Sequence, residues 1–328
     1  MGCGQSATHV SDIGPGAVNG VPKAKPKKGK KDQNRPAEPE SEPTKPKSTY
    51  ANFLSSHNAK LKLETESALR GVAFLNNGFL VVADYHNNCL KLFDASFQYL
   101  TNLEFSSAPW DVCSAKDGEN QLWATVPYTR QVHRVALEYV NDKPILVDVE
   151  SFKAQGFCWG VTCFDGGVAV SVKVSVPPNA WPKPPEFQVH VHEYDGTFRR
   201  SILYDPETGG AFFTEPKFLN VTYDDLFLLV SDYKLNSVFC VNNEDELIFA
   251  YAGMQSPNGI AMDENKDLHV TSFFGNQRVH KVGANGKYKD GLQVDEGRPL
   301  FPHSICYRKK DRIIVLTTEH SLEVYKLV

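Results

Sequence analysis

The chain has 328 residues, is 41% hydrophobic and carries a formal net charge of −4, which is enough for one large domain or two ordinary ones with a buried core. No run approaches the roughly 18 consecutive apolar residues of a membrane-spanning helix, and the N-terminus lacks the apolar stretch of a secretory signal. Charge is uneven: residues 1–50 are net +4 and residues 51–328 about −8, and an acidic body argues against binding a phosphate backbone, which needs a basic face.

The chain opens Met1-Gly2-Cys3-Gly4-Gln5-Ser6, the acceptor pattern for N-myristoylation at Gly2. Cys3 stands where a thiol takes a palmitoyl chain once the first acyl group has reached a membrane. A single myristoyl chain binds only weakly, at about 10^4 M⁻¹, so stable anchoring needs a second signal. Cys3 is one candidate. The run Lys23, Lys25, Lys27, Lys28, Lys30 and Lys31 is another, suited to an anionic lipid surface. These signals place the protein at the cytoplasmic face of a membrane, with the plasma membrane the expected one. The alternative is a Gly-rich start followed by a solvated basic linker.

From Ala7 to about Tyr50 the composition is Pro, Lys, Glu, Ser and Gly with almost no large apolar residue. Such a segment cannot bury enough surface to offset its ordering entropy, so residues 1–50 are expected to be a disordered tether. Pro36 and Pro39, then Pro43 and Pro46, have Pro-x-x-Pro spacing, with an extended spacer the simpler reading.

From residue 51 the texture changes and repeats. In the clearest unit, Gly71-Val72-Ala73-Phe74 is an apolar strand, Asn76-Asn77-Gly78 a turn, and Phe79-Leu80-Val81-Val82-Ala83 a second strand. Asp84-Tyr85-His86-Asn87-Asn88 is a polar loop and Cys89-Leu90-Lys91-Leu92-Phe93 a third strand. Pro216–Val241 and Pro257–Val282 repeat the pattern, and three weaker copies start near Pro109, Cys158 and Phe301. Equivalent first-strand positions are Arg70, Trp110, Trp159, Lys217, Asn258 and His303, spaced by 40, 49, 58, 41 and 45 residues; the longest spacing contains an insertion, Lys173 to Phe187. Short strands, turn signals and a period in the forties predict an all-β fold, a six-bladed β-propeller over residues 51–328. The six scattered Cys of this region form no CxxC pair and are expected to be reduced, buried thiols.

The Pro-x-Gly-[Ile/Val]-Ala strand, the Val-[Ala/Ser]-Asp end of the second strand and the Asn opening the third resemble NHL repeats. The likeness covers about residues 65–328 and is best in units one, four and five; Ser272 replaces the aspartate seen as Asp84 and Asp232. Because the last unit ends on a third strand, the ring needs an outermost strand from elsewhere. The alternating Ala59-Lys60-Leu61-Lys62-Leu63 is expected to pair against Leu322–Leu327 and hide an open edge.

Strand order puts the entry to each innermost strand and the loop between second and third strands on one face. That face is expected to gather Arg70, Trp110, Trp159, Lys217, Asn258 and His303 around the channel mouth. The insertion, with Trp181, is expected to hang over it. Such a rim suits a protein or peptide partner, or a carboxylate or phosphate. No cofactor or metal is called for, nucleic acid is disfavoured by the body's charge, and the chain is expected to act as a monomer. An enzyme is the rival. Gluconolactonase- and paraoxonase-like propellers resemble this architecture and hold a divalent cation with Glu, Asn and Asp; here Asn258 is the one such oxygen ligand, beside Arg70 and Lys217. Peptidyl-amidoglycolate lyases, which use zinc held by His at blade entries, resemble it too, but only His303 is present at such a position. His190 and His192 alternate onto one strand face, where exposure is expected rather than a metal pair. An RNA-binding NHL module is a further alternative, resting on the local charge of Arg70 and Lys217.

Overall fold

A computed structural model describes residues 50–181, 183–274, 277–293 and 301–328, and every regular element among them is a β-strand. Gly2, Cys3, the lysine run and the Pro-x-x-Pro segment lie outside the described residues. The strands form six four-stranded antiparallel sheets in simple up-and-down order, which makes the body a six-bladed β-propeller.

Blade one is Leu69–Phe74, Leu80–Asp84, Cys89–Phe93 and Tyr99–Glu104. Blade two is Val112–Ser114, Gln121–Val126, Gln131–Val140 and Lys143–Lys153. Blade three is Phe157–Phe164, Gly167–Lys173, Phe187–His192 and Phe198–Ile202, so the insertion joins its second and third strands. Blade four is Pro216–Val221, Phe227–Asp232, Ser237–Asn242 and Leu247–Tyr251. Blade five is Pro257–Met262, Leu268–Ser272, Gln277–Val282 and Tyr288–Gln293.

Second strands such as Leu80–Asp84 and Ile313–Thr317 are buried along their whole length. Each is covered on both faces by neighbouring blades, so it reads as a continuous apolar run rather than an alternating one. Fourth strands such as Leu247–Tyr251 are largely exposed. The core is divided accordingly, with an apolar cluster between each pair of adjacent blades: Val72, Val82, Val315 and Val324 between six and one, Ala73, Val81, Leu122 and Val135 between one and two.

Inner strands approach one another closely. A Cβ on Gly71 would lie 2.5 Å from Asp111 Cα, one on Gly160 2.8 Å from Phe218 Cα, and one on Gly259 2.5 Å from Ser304 Cα. Glycine therefore occupies this position in blades one, three and five, while blades two, four and six carry Asp111, Phe218 and Ser304 against it. The glycine of the repeat is a contact requirement between neighbouring blades.

Blade six corrects the expected closure. Its strands are Ser304–Arg308, Ile313–Thr317 and Ser321–Leu327, and the outermost is Ala51–Asn58. The partner is the expected one, in a register from Ala51↔Leu327 to Asn58↔Ser321, but the strand lies eight residues earlier than Ala59–Leu63. Ala51–Asn58 is mostly exposed along its length and its pairing rests on backbone bonds, so it needs no apolar alternation. The alternating segment instead makes a turn: Glu64 N–H donates to Leu61 O (3.1 Å) and Leu61 N–H to Glu64 Oε2 (2.8 Å), leaving Leu63 99% exposed. Glu64 is drawn inward by Lys91, whose Nζ sits 2.7 Å from Glu64 Oε2, 2.7 Å from Asp84 Oδ2 and 2.8 Å from Ala59 O. Tyr50 is also part of the body: its ring is buried and stacks on His269, to which its hydroxyl is hydrogen-bonded, and His269 Nε2 lies 3.0 Å from Asp263 Oδ2.

Candidate binding face

The aspartate of the repeat explains how one face is assembled. Asp84 accepts from Ala68 N–H at 3.1 Å and Asn87 N–H at 3.2 Å. Asp232 accepts from Thr214 N–H (2.7 Å), Glu215 N–H (3.0 Å) and Leu235 N–H (2.9 Å). Each carboxylate ties the segment entering a first strand to the loop leaving the second, so both lie at the same end of the channel. Burial alone would push Asp84 up, but hydrogen bonds from Lys91, Asn87 and Ala68 outweigh it and hold the carboxyl below its ordinary value.

The entry residues are then fixed by the next blade in the ring. Gly71 N–H donates to Trp110 O (2.9 Å) and Gly259 N–H to His303 O (3.1 Å). Thr317 Oγ1 donates to Arg70 O at 2.7 Å, and the Thr125 hydroxyl to Trp159 O. The rim backbone is thus held by backbone N–H groups and threonine hydroxyls of the neighbouring blades, independently of the entry side chains.

On that frame Lys217 of blade four reaches between the tryptophans of blades two and three. Its Nζ lies 4.8 Å from the Trp159 ring centroid and 5.2 Å from that of Trp110, and 2.9 Å from Glu215 Oε1. Arg70 stands 5.6 Å from the Tyr85 ring and 5.8 Å from Trp110, with Nη1 3.5 Å from Glu319 Oε1. Cation–ring contacts of this kind contribute about 0.5–2 kcal/mol each, more as water is excluded. The Trp110 Nε1 is buried without a hydrogen-bond acceptor among the described residues.

A carboxylate–imidazole pair completes the far side of the mouth. His303 Nε2 lies 2.9 Å from Glu319 Oε1. That hydrogen bond, aided by the Arg70 charge and opposed by burial, holds Glu319 down to about 2. Burial pulls both His303 and Arg70 below their ordinary values against the pull of Glu319. Glu215 is likewise held low: burial would raise it, but Lys217 and Lys234 outweigh burial.

The structure therefore brings Arg70, Trp110, Trp159 and Lys217 into one contact network. His303 joins it through Glu319, while its ring packs 5.2 Å from Phe273. Asn258 is buried in the wall at 6% exposure, and Trp181 stands 94% exposed on the insertion, outside the ring contacts. The loop Asp84–Asn88, which the sequence puts at the mouth, supplies Tyr85, whereas Glu215, Glu319, Tyr128 and Phe157 were not anticipated. Asp84-Tyr85 and Asp232-Tyr233 repeat as a dipeptide at the same loop position; the other four carry no such signal. Around the mouth the Tyr85 hydroxyl meets that of Tyr128 at 3.3 Å, and ring centroids follow at 6.2 Å for Tyr128–Phe157, 6.2 Å for Phe157–Trp159 and 5.8 Å for Tyr85–Trp110.

His190 and His192 differ from expectation. Both are buried: Phe198 of the adjoining strand lies 5.3 and 5.7 Å from their respective rings, and Phe152 of blade two packs 4.8 Å from His192. Burial pushes His190 down to about 4, so it packs as a neutral ring. Among the described residues no three His, Cys, Asp or Glu side chains converge as a metal-ligand group. The body cysteines are free thiols, all buried except the half-buried Cys113.

Below the rim the channel encloses a cavity of about 330 Å³ lined by the inner strands of all six blades. Its polar groups are engaged: Asn220 Nδ2 donates to Ile260 O (2.7 Å), Lys116 pairs with Asp225, and Asp111 accepts from Val112 N–H (2.9 Å) and Val161 N–H (3.1 Å). Burial nevertheless pushes the Asp111 carboxyl up to about 8 against those two donors.

Comparison with known proteins agrees with this architecture. Residues 69–93, the first three strands of blade one, match the family model described as NHL repeat. No curated protein matches the sequence. Among solved structures the chain is similar to the virginiamycin B lyase of Staphylococcus aureus (13% identity, TM-score 0.56, 84% of this chain and 99% of that one). A structural-genomics protein described as gluconolactonase-like is similar at 15% identity and a TM-score of 0.60, over 83% of this chain and 91% of that one. A Bacteroides thetaiotaomicron protein of unknown function matches at 14% identity and 0.62, over 86% and 74%. At these identities the likeness establishes a shared propeller fold.

Proposed function

We propose that the propeller is a binding module held at the cytoplasmic face of a membrane through acylated Gly2 and Cys3 and the basic run, and that its entry face captures a protein or peptide partner. The observation that carries this reading is Lys217 held between Trp110 and Trp159, with a buried Trp110 Nε1 left over. Aromatic rings ordered by cations at the centre of a rigid rim have the composition of a binding hot spot, where one desolvated Trp contributes about 2 kcal/mol or more. The chain's point of entry agrees with it. Tyr50 O accepts from Val328 N–H (3.2 Å), and Leu327 N–H donates to Arg312 O (2.9 Å) in the turn between first and second strands. Tyr50 thus lies at the end opposite the entry face.

Trp159→Ala combined with Lys217→Ala is expected to abolish partner capture while melting temperature and membrane attachment stay unchanged. A parallel loss of melting temperature and capture would mean that the tryptophans only hold the rim together. For the anchor, Gly2→Ala is expected to move the protein to the soluble fraction, and Cys3→Ser to leave a weaker, salt-sensitive attachment. Full membrane retention of Gly2→Ala would sink the lipid mechanism.

One observation favours a second reading, a lyase- or lactonase-like enzyme. His303 is kept neutral by burial and oriented by Glu319 at the channel mouth, as a general base would be. The binding reading expects no lactone or ester turnover sensitive to His303→Ala, and no stoichiometric metal. Calcium or zinc near one per chain by elemental analysis would overturn it.

A further inference from the structure

The rim is not uniform around the channel. Over blades one to three, Tyr85, Tyr128, Phe157, Trp159 and Trp110 form a closed circuit, the last two joined through Lys217. Tyr128 is 63% exposed, and the other four rings are half-buried, so the circuit presents apolar ring surface to solvent. Two further cations stand beside it. Arg130 lies 5.0 Å from the Phe157 ring, and Lys173 lies 5.3 Å from Phe187, whose ring is 6.5 Å from Trp159.

These two cations differ from Lys217 and Arg70. Those are balanced by Glu215 and Glu319, whereas among the described residues neither Arg130 nor Lys173 has a carboxylate partner. Lys173 ends the second strand of blade three, where the insertion begins, and Arg130 lies in the corresponding loop of blade two. Both stand against half-buried rings, Phe157 and Phe187, at or beside the circuit, on a body of net charge about −8. Unneutralised cations beside half-buried rings, on an otherwise acidic body, are complementary to a ligand that brings its own carboxylates together with an apolar or ring-bearing residue.

We infer that blades two and three hold a site for an acidic peptide: its carboxylates meet Arg130 and Lys173, and an aromatic or proline residue sits in the ring circuit. This rests on the binding reading above and adds to it a position and a ligand chemistry. Rings supply contact area at low entropic cost, while the cations select against basic and neutral sequences.

The test is selection of a random dodecapeptide display library on the full chain, on Arg130→Glu combined with Lys173→Glu, and on Trp159→Ala combined with Lys217→Ala. The wild type is expected to enrich peptides with Asp or Glu flanking an aromatic or proline residue. Their affinity is expected to fall about tenfold or more on the charge-reversed variant, which enriches Lys and Arg instead. Arg278→Ala, on the far side of the mouth beside Phe301, is expected to change nothing. Wild-type peptides without acidic preference, indifferent to charge reversal but lost with the Trp159 and Lys217 changes, overturn the acidic-peptide site and leave the binding face standing. Absence of any enriched peptide overturns the site and counts against the face as a peptide binder. Loss of phosphatidylserine-vesicle binding on charge reversal, without peptide selection, would assign the cations to a lipid surface and overturn the proposal.

Discussion

Lys91 and Lys217 are both lysines held by carboxylates, yet they belong to different parts of the molecule and do different things. Lys91, at the closing seam, is fully buried between Asp84 and Glu64 with a third bond to Ala59 O. It is spent on the fold: it pins the segment that follows the closing strand against blade one. Lys217, at the rim, has two ring faces and one carboxylate, Glu215, that is shared with Lys234 at 3.2 Å, so little is lost if a ligand replaces part of that environment. Full burial with matched charges marks a structural cation, whereas ring contacts with residual exposure mark one available for recognition.

The largest expected effect probes the seam. Removing residues 1–49 is expected to leave thermal unfolding of the body unchanged. Removal through Asn58 strips the outermost strand from blade six, exposes the edge of Ser321–Leu327, and is expected to destabilise by several kcal/mol. Equal melting temperatures for the two truncations would show that the ring closes without Ala51–Asn58.

Next comes the direct exchange between the two lysines. Lys91→Met leaves Asp84 buried with an uncompensated charge and is expected to cost about 3–5 kcal/mol in urea unfolding. Lys217→Met is expected to cost under about 1 kcal/mol, since Glu215 keeps the exposed Lys234 as its partner, and to weaken partner binding instead. Similar stability losses for both would erase the distinction.

A smaller effect separates the rim from the channel beneath it. Asp111 has a folded-state value near 8, raised above the ordinary carboxyl range. The folded state therefore binds more protons than the unfolded state across pH 4 to 8, and stability from this group is lost as pH rises through that window. The slope is at most about 1.4 kcal/mol per pH unit. Asp111→Asn is expected to flatten the dependence. An unchanged slope would mean that Val112 and Val161 N–H hold Asp111 as a carboxylate.

Why some of this could be read from the sequence and some could not is physical. The blades were legible because second strands, buried on both faces, leave apolar runs such as Leu80-Val81-Val82-Ala83, and because Gly71, Gly160 and Gly259 recur where blades touch. The closing strand was misplaced because Ala51–Asn58 is mostly exposed and its pairing rests on backbone bonds, which carry no side-chain pattern. Arg70, Trp110, Trp159 and Lys217 were found by counting from equivalent positions. Glu215 and Glu319 were not, because what makes them matter is which cations the folded loops bring to them: Lys217 and Lys234 within blade four for Glu215, and Arg70 of the neighbouring blade for Glu319. Trp181 invited a role by its place on the insertion, but ring packing depends on where that insertion folds, which spacing does not encode.

The central claim is that the entry face, and no other, engages the partner. Hydrogen–deuterium exchange of the full chain with and without a bound partner or selected peptide tests it directly. New protection is expected in segments 85–88, 109–111, 127–131, 157–159, 173–174 and 215–217, and not at the opposite end of the channel. Protection confined to the opposite end, at the turns around Asn77, Asp117 and Asn265, would contradict it.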